Sequence, residues 1–417
     1  MLKVPASDSL IASSRSLERV ARGNLCAGCG GCALVAQGKV AMEMTPPGFL
    51  RPRQTAPLSQ AEEDGIAAIC PGLRQDVSAG VRTDDPLWGP YLEMRTGHAT
   101  DPDIRFTGSS GGGLTAIALY LLDQGEVDGV VTNQAAETVP VANQPIRAYD
   151  RDGLLRAAGS RYAPSAPLAD LEDILNGKAR YAFIGKPCDT AALAALAARD
   201  PRVADRIPWR LSFFCAGVPS QTGGEAVLEA LGTTLKDTAA FRYRGQGWPG
   251  FATARDHEGQ DRSMSYHDSW GKILSKHVQH RCKICADGTG VAADLVCADA
   301  WEADEDGYPL FEEQDGTSLI VARTARGRDL MQAAEAAGAI VTQPFEVATL
   351  AGIQPGQRRR RRALAARLAG LRLTGFPVPA YQGLKIAAAA RQNSPRDNAK
   401  NFLGMVRRSL KRRVGLT

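Results

Sequence analysis

Cys26-Ala27-Gly28-Cys29-Gly30-Gly31-Cys32 places three cysteines at two-residue spacing, with glycine at three of the four positions between them. A backbone that wraps several N–H groups around sulfur needs residues that tolerate positive φ and close approach. C-x₂-C-x₂-C opens the bacterial iron–sulfur run. The fourth cysteine comes later, as Cys70-Pro71. Cys26, Cys29, Cys32 and Cys70 therefore read as a four-thiolate [4Fe–4S] site. A structural zinc site also takes four thiolates and is the second reading. A disulfide knot ranks third, because adjacent C-x₂-C pairs are poorly placed to bridge and nothing points to secretion.

Four more cysteines form a second candidate set. Arg180 to Ile184 reads as a strand, Gly185 to Thr190 as a loop, and Ala191 to Arg199 as a helix. Arg210 to Phe214 is the next strand, followed by Cys215-Ala216-Gly217 and a helix from Gly224 to Leu231. Two such units in succession imply adjacent parallel strands. Cys188 and Cys215 then lie at the carboxyl ends of those strands, where open α/β sheets place ligands. Cys188 also precedes a helix start, which favours thiolate. Cys282-Lys283-Ile284-Cys285 completes the set, against the competing reading of a redox dithiol. Cys297, in an apolar strand, reads as a core thiol.

Two polar stretches suit an organic cofactor. Arg105 to Gly113 contains Thr107, Ser109, Ser110, Gly111, Gly112 and Gly113 and precedes the apolar helix Leu114–Leu122. A Ser/Gly loop opening a helix offers N–H groups, hydroxyls and the positive end of the dipole to a phosphate or a flavin edge. The spacing is not G-x-G-x-x-G, so no dinucleotide fingerprint is assigned, and a plain turn with a cap is the simpler alternative. Gly159-Ser160-Arg161-Tyr162 follows a helix from Arg151 to Ala158. Arg161 offers charge and Tyr162 stacking; a helix C-terminus with an exposed arginine is the equal alternative.

The elements that must position these residues are α/β with α+β parts. Residues 1–85 form a small N-terminal iron–sulfur module. It has a helical lead (Leu10, Ile11, Leu17, Val20), a strand pair across Thr45-Pro46-Pro47-Gly48, and a helix capped by Ser59 and Glu62 that delivers Cys70. Residues 86–170 and 171–350 form the two parts of a mixed α/β core, with strands at Leu92–His98 and Val127–Val131 and a hairpin at Asp256–Gly259. Residues 351–417 form a basic helical tail, with five arginines at Arg358–Arg362 and a stripe of Leu364, Leu368 and Leu371. That tail reads either as a solvated face or as a dock for an acidic electron carrier or an anionic membrane.

With 417 residues and 44% hydrophobic content, the chain can build two or three domains. Its formal charge of +5 is too weak to argue for nucleic acid. Nine cysteines in so long a chain point to metal or redox chemistry in a reducing compartment. No transmembrane run or secretory leader is recognised, so a cytoplasmic location is expected, with homo-oligomerisation open.

In their order, these stretches resemble the beta-subunit family of coenzyme F420 hydrogenases and dehydrogenases, which includes ferredoxin-dependent reductases of chlorophyll-type pigments. The resemblance runs over roughly residues 20 to 345 and rests on the eight cysteines, Arg105–Gly112, Gly159–Tyr162, Gly185-Lys186-Pro187-Cys188, Ala293-Asp294 and Asp299-Ala300-Trp301. Cys297-Ala298 departs from the family's apolar residue and glycine. The resemblance implies FAD bound by Ser109–Gly113 and Gly159–Tyr162, with [4Fe–4S] clusters feeding it. It implies an oxidoreductase that takes electrons from a ferredoxin-like carrier or partner subunit and exchanges hydride with an organic substrate: a deazaflavin, a tetrapyrrole or a polysaccharide-pathway intermediate. An electron-transfer subunit and a zinc-binding interaction protein are the alternatives. His98, Tyr162, His267 and Lys272 are the candidate proton donors.

Overall fold

The computed structural model describes residues 13–302, 304, 310 and 312–413. The lead residues Leu10 and Ile11 lie outside that range; the helix that follows spans Arg15–Gly23, with Ser14 as its cap.

The centre is an eight-stranded mixed sheet. In spatial order its strands are Ile340–Pro344, Glu93–Ala99, Ser318–Ala322, Leu295–Asp299, Trp209–Phe213, Tyr181–Gly185, Gly129–Ala135 and Asn143–Ala148. The run from Leu295–Asp299 to Gly129–Ala135 is parallel, as the two strand–loop–helix units required, with Leu211 opposite both Ile184 and Leu295. The remaining pairs are antiparallel.

Tyr181-Ala182-Phe183-Ile184-Gly185 is buried at every residue, the pattern of a strand covered on both faces. Ala182 and Ile184 point to a core with Ile117 and Leu121 of the Gly113–Asp123 helix. Tyr181 and Phe183 point to the other core, with Leu193 and Leu196 of the Pro187–Ala197 helix and Ile69 from the N-terminal region. Each fully buried Phe or Leu there contributes about 2 kcal/mol of transfer free energy. The two-residue alternation thus puts one helix, and with it one loop, on each face of the sheet.

Several smaller parts frame the sheet. Val40–Thr45 and Phe49–Gln54 form the antiparallel hairpin that the Pro-Pro-Gly turn implies. The Gln60–Ile69 helix starts with the reciprocal Ser59/Glu62 capping box and ends at Cys70. Thr238–Arg242, Phe251–Asp256 and Asp261–Ser265 form a separate three-stranded antiparallel sheet. The helices Pro355–Leu373 and Pro395–Arg413 bring Leu364, Leu368, Leu371 and Met405 onto Leu25, Cys26, Ile284 and Ala286. Ala380–Gln382 pairs in parallel with Arg74–Asp76.

One local difference from the sequence reading bears on the site. Asp101 caps Asp103 and Ile104, and Pro102 opens a short helix, Pro102–Thr107. Arg105 and Thr107 are therefore helical, and the polar loop shrinks to Gly108–Gly112. No helix among the described residues is long and apolar enough to cross a membrane.

Candidate functional site

The Cys26–Cys32 loop turns through two left-handed glycines, Gly28 (φ +83°) and Gly30 (φ +86°). A Cβ on Gly30 would stand 2.7 Å from the backbone nitrogen of Ala169, so the loop is pressed against the core and admits no side chain there. The Gly28 N–H donates to Cys26 Sγ at 3.3 Å. The capped helix delivers Cys70 to a pocket lined by Cys26, Cys29, Cys32 and Cys70 together with Leu17, Val20 and Ile69. Burial pushes the Cys70 thiol up to about 11, and Cys26 adds to the rise. Cys29 is pushed well above its ordinary value by burial, then by Asp189, Cys70 and Cys32. Four cysteines lining one apolar pocket supply the donor set that a [4Fe–4S] cluster or a zinc ion takes.

The second set gathers as the strand ends dictate. Cys188 sits in the first turn of the Pro187–Ala197 helix. The Cys215 N–H donates to Gly288 O at 2.9 Å, which ties it to the Cys282–Cys285 segment. Cys282 Sγ accepts from Val218 N (3.4 Å) and Gln279 Nε2 (3.6 Å). Burial pushes Cys215 up to about 12, with Cys282 and Cys285 adding to it and Arg360 opposing. Beside Cys188 the buried Lys186–Asp189 pair closes at 2.7 Å, and Lys186 Nζ donates to Ser165 Oγ at 2.8 Å. Among the described residues, no three His, Cys, Asp or Glu side chains stand close enough to share a single metal ion.

The two sets are neighbours. Gln279 Nε2 faces Ala27 O at 3.4 Å as well as Cys282, while its Oε1 accepts from Arg51 Nη1 at 3.1 Å. The buried Arg281 donates to Pro71 O (2.7 Å), beside Cys70, and to Tyr381 Oη (2.8 Å).

A cavity of about 260 Å³ opens next to the second set, with Cys215 and Lys186 in its wall. Ser109, Ser110, Gly112 and Gly113 line it on one side, and Ser160, Arg161 and Tyr162 on another; Thr107 and Gly111 are not in its wall. The Gly113–Asp123 helix points its start here; Gly112 offers no side-chain cap, and the Gly113 N–H donates to Ser318 Oγ at 3.3 Å. Among the described residues, the buried Ser109 Oγ and Asn133 Oδ1 find no hydrogen-bond partner, and both residues line this cavity. Two orphaned polar atoms beside a helix start fit a polar organic group, and a flavin edge supplies the matching donors and acceptors. Arg161 serves differently from its sequence reading: its guanidinium donates to Asn143 Oδ1, Phe241 O, Pro140 O and Ala142 O at 2.7–3.0 Å. It is neither an exposed cap residue nor a free anion ligand; it fixes the wall. Tyr162 lies 4.7 Å, ring to ring, from Trp270.

Arg244 anchors the far wall. It is buried, makes a bidentate pair with Asp299 (3.0 and 2.6 Å), and lies 4.8 and 4.9 Å from the Tyr266 and Trp301 rings. Trp248 Nε1 also donates to Asp299, at 2.8 Å. Of the four candidate proton donors, Tyr162 lines the cavity. His98 lies on the outer strands, contacting Ala99 O at 3.0 Å, and Lys272 pairs with Asp268 at 2.7 Å on the surface. His267 is not in the wall.

The comparisons with known proteins match this architecture. Residues 94–172 match the N-terminal model of the family described as coenzyme F420 hydrogenase/dehydrogenase, beta subunit, and residues 178–348 match the C-terminal model of the same family. The chain belongs to the coenzyme F420 hydrogenase/dehydrogenase beta-subunit family. It is 24% identical over 275 residues to coenzyme F420 hydrogenase subunit beta of Methanosarcina barkeri, covering 63% of this chain and 85% of that one. The same-named subunit of Methanothermobacter thermautotrophicus is 24% identical, covering 70% and 99%. The F420-dependent formate dehydrogenase 1 subunit beta of Methanococcus maripaludis is 27% identical, covering 60% and 61%. A chain in a solved structure of the F420-reducing [NiFe] hydrogenase complex from Methanosarcina barkeri shares the fold, with a TM-score of 0.51 and 21% identity over 67% of this chain and 95% of that chain.

In this family member the matched segments hold Cys188, Cys215, Cys282, Cys285 and the cavity walls apart from Gln354 and Gln357. Cys26, Cys29, Cys32, Cys70 and everything beyond residue 348 lie outside them. Asn133, Lys186, Arg244, Tyr266 and Gln357 line the cavity but were not singled out from the sequence as site residues. For Arg244 a signal existed, in the basic glycine-rich run Arg242–Gly250. Asn133 and Tyr266 sit in otherwise ordinary strand and strand-end patterns and carried none.

Proposed function

We propose that this chain is an iron–sulfur flavoprotein oxidoreductase in which both cysteine sets hold [4Fe–4S] clusters and the cavity holds FAD. The observation that carries this reading is the shared wall: Cys215 belongs to the second set and to the lining of the cavity that also holds the orphaned Ser109 and Asn133. When bound, the clusters supply one-electron transfer and the flavin converts it to hydride chemistry. The protein's own work is positioning. Gly108–Gly112 and the helix start offer N–H groups and hydroxyls, Arg161 braces the Ser160–Tyr162 wall, and the Arg244–Asp299 pair fixes the opposite side. The buried Lys186 stands beside Cys188 and pairs with Asp189, whose charge raises the lysine pKa against the lowering effect of burial. The electron donor is a ferredoxin-like carrier or a partner subunit, and the second substrate is an organic redox molecule such as a deazaflavin. Several relatives are named as subunits of hydrogenases or dehydrogenases, which supports the second reading of an electron-transfer subunit within a larger complex.

The test is an absorption spectrum with iron, sulfide and flavin analysis on anaerobically purified protein. About eight irons and one FAD per chain are expected. Cys26→Ser and Cys282→Ser should each remove about half of the iron, and Cys26→Ser should leave the flavin bound. Stoichiometric zinc without iron or flavin after reconstitution would refute the proposal. Turnover by the isolated chain with a small organic substrate would exclude the role of an electron-transfer subunit.

A further inference from the structure

Charge is divided along this chain in a way its net value hides. Residues 351–417 contain 16 Lys and Arg against a single acid, Asp397, whereas residues 1–350 contain 34 basic and 44 acidic residues. The fold does not leave this excess on a free tail. It lays the helices Pro355–Leu373 and Pro395–Arg413 over the second cysteine set. Arg360 donates to Cys215 O and Ala216 O, at 2.5 and 2.8 Å. Arg367 donates to Lys283 O at 2.9 Å, between Cys282 and Cys285. Lys283, Arg359 and Arg408 are exposed.

These cations face one another and not carboxylates. Among the described residues, Lys283, Arg359, Arg360, Arg367 and Arg408 make no ion pair within 4.0 Å. Burial and the neighbouring Arg408, Arg360 and Arg359 hold Arg367 down at about 10. A surface that concentrates like charge at this density is held together by carbonyl contacts and apolar packing, and its own field disfavours it. An incoming anionic surface relieves that repulsion. Elsewhere the chain neutralises its surface arginines, as in Arg255–Asp261 and Arg202–Asp200.

We propose that this basic face, built by Lys283, Arg359, Arg360, Arg367 and Arg408, is the docking surface for an acidic one-electron carrier protein, which meets the chain over the Cys282–Cys285 segment. The half-buried Cys282 and Cys285 lie directly beneath it, so a carrier seated here is close to the second set without crossing the domain. The carrier's redox role rests on the cluster reading above; its docking does not. The competing occupant is an anionic membrane. Its anchor would be Leu403 and Leu410, which are 62% and 49% exposed and lie on the side of the Pro395–Arg413 helix opposite the buried Met405 and Ser409.

The test uses full-length anaerobically purified protein with an acidic [2Fe–2S] ferredoxin as probe, following association by surface plasmon resonance across a salt series. Arg359→Glu/Arg408→Glu is expected to slow association about tenfold at low ionic strength. The difference should vanish near 1 M salt, where the Debye length is about 3 Å. Lys236→Glu, an exposed reversal elsewhere on the chain, should behave as wild type. The proposal is overturned if the double variant associates as fast as wild type, or if association is insensitive to salt. It is also overturned if the protein binds phosphatidylserine vesicles but not ferredoxin and loses that binding in Leu403→Ser/Leu410→Ser. Ferredoxin that docks but reduces no iron in the chain would sink the cluster reading and leave the docking surface standing.

Discussion

Arg244 and Asp299 make the sharpest stability test. Burial alone would lower the Arg244 pKa, but Asp299 holds it well above the ordinary value, so the guanidinium stays charged inside the protein. Removing one partner of such a pair leaves an uncompensated buried charge, a loss of about 3–5 kcal/mol. The Asp299 side chain keeps 22% exposure and its bond from Trp248, so Arg244→Met belongs at the low end, about 3 kcal/mol. Asp299→Asn leaves the more deeply buried arginine unpaired and should cost at least as much. The double variant removes both charges, so its loss should be about 2 kcal/mol smaller than the sum of the single losses. At about 2 °C per kcal/mol for a large domain, Arg244→Met lowers Tm by about 6 °C. Thermal melts of all four proteins, each saturated with flavin, give the test: the double variant should melt well above the temperature that the summed single losses require. A double variant whose Tm falls by the full sum of the single losses would show that the two side chains act independently, and the reasoning would be wrong.

Three further outcomes follow from the same geometry. Ser109→Ala removes a buried hydroxyl that has no partner among the described residues, so flavin-free protein should melt at the same temperature or higher while flavin affinity, titrated by fluorescence, falls about tenfold; unchanged affinity would remove Ser109 from the site. Gly112→Ala places a Cβ 2.4 Å from Ile104 O at φ +68°, which costs about 1–3 kcal/mol and displaces the helix start; flavin should be lost while iron stays near wild type, and loss of both together would point to global misfolding. Glu62, bonded to Lys39 and to Ser59, has its carboxyl held down at about 2. A depressed folded-state pKa stabilises above the unfolded value near 4.5 and is lost as pH falls towards 2. The Tm gap between wild type and Glu62→Gln should therefore be full at pH 6 and shrink by pH 3; a gap constant with pH would refute the assignment.

The chemistry-bearing loops were legible because short-range rules govern them. Glycine spacing fixed the Cys26–Cys32 turn, the Ser59/Glu62 box fixed the start of the helix that ends at Cys70, and two strand–loop–helix units required the parallel pair that carries Cys188 and Cys215. The polar loop was read too long because the Asp101 cap and Pro102 were not weighed as the start of a helix. Arg161 illustrates a deeper limit. Its acceptors are Asn143 and the backbone of Pro140, Ala142 and Phe241, residues up to 80 positions away. No local pattern distinguishes an arginine awaiting a ligand from one already satisfied by carbonyls.

The same limit explains why the arginine run resists a single reading. Arg361 turns inward and donates to the carbonyls of Pro86, Ala286 and Leu384. Arg360, its neighbour in sequence, ties Cys215 and Ala216. Arg359 stays exposed. Consecutive positions on a helix are about 100° apart, so a run of identical residues necessarily serves core, loop and solvent at once. Structural and docking roles are therefore not rivals for this segment. The inward arginines satisfy carbonyls of the cysteine loops, and by holding the helix there they present the outward ones above Cys282 and Cys285. The same packing brings the tail against Leu25 and Cys26, on the side where Gln279 and Arg281 join the two sets. A deletion of the tail would consequently disturb both cysteine loops, whereas reversal of Arg359 and Arg408 alone should leave iron content unchanged and alter only association.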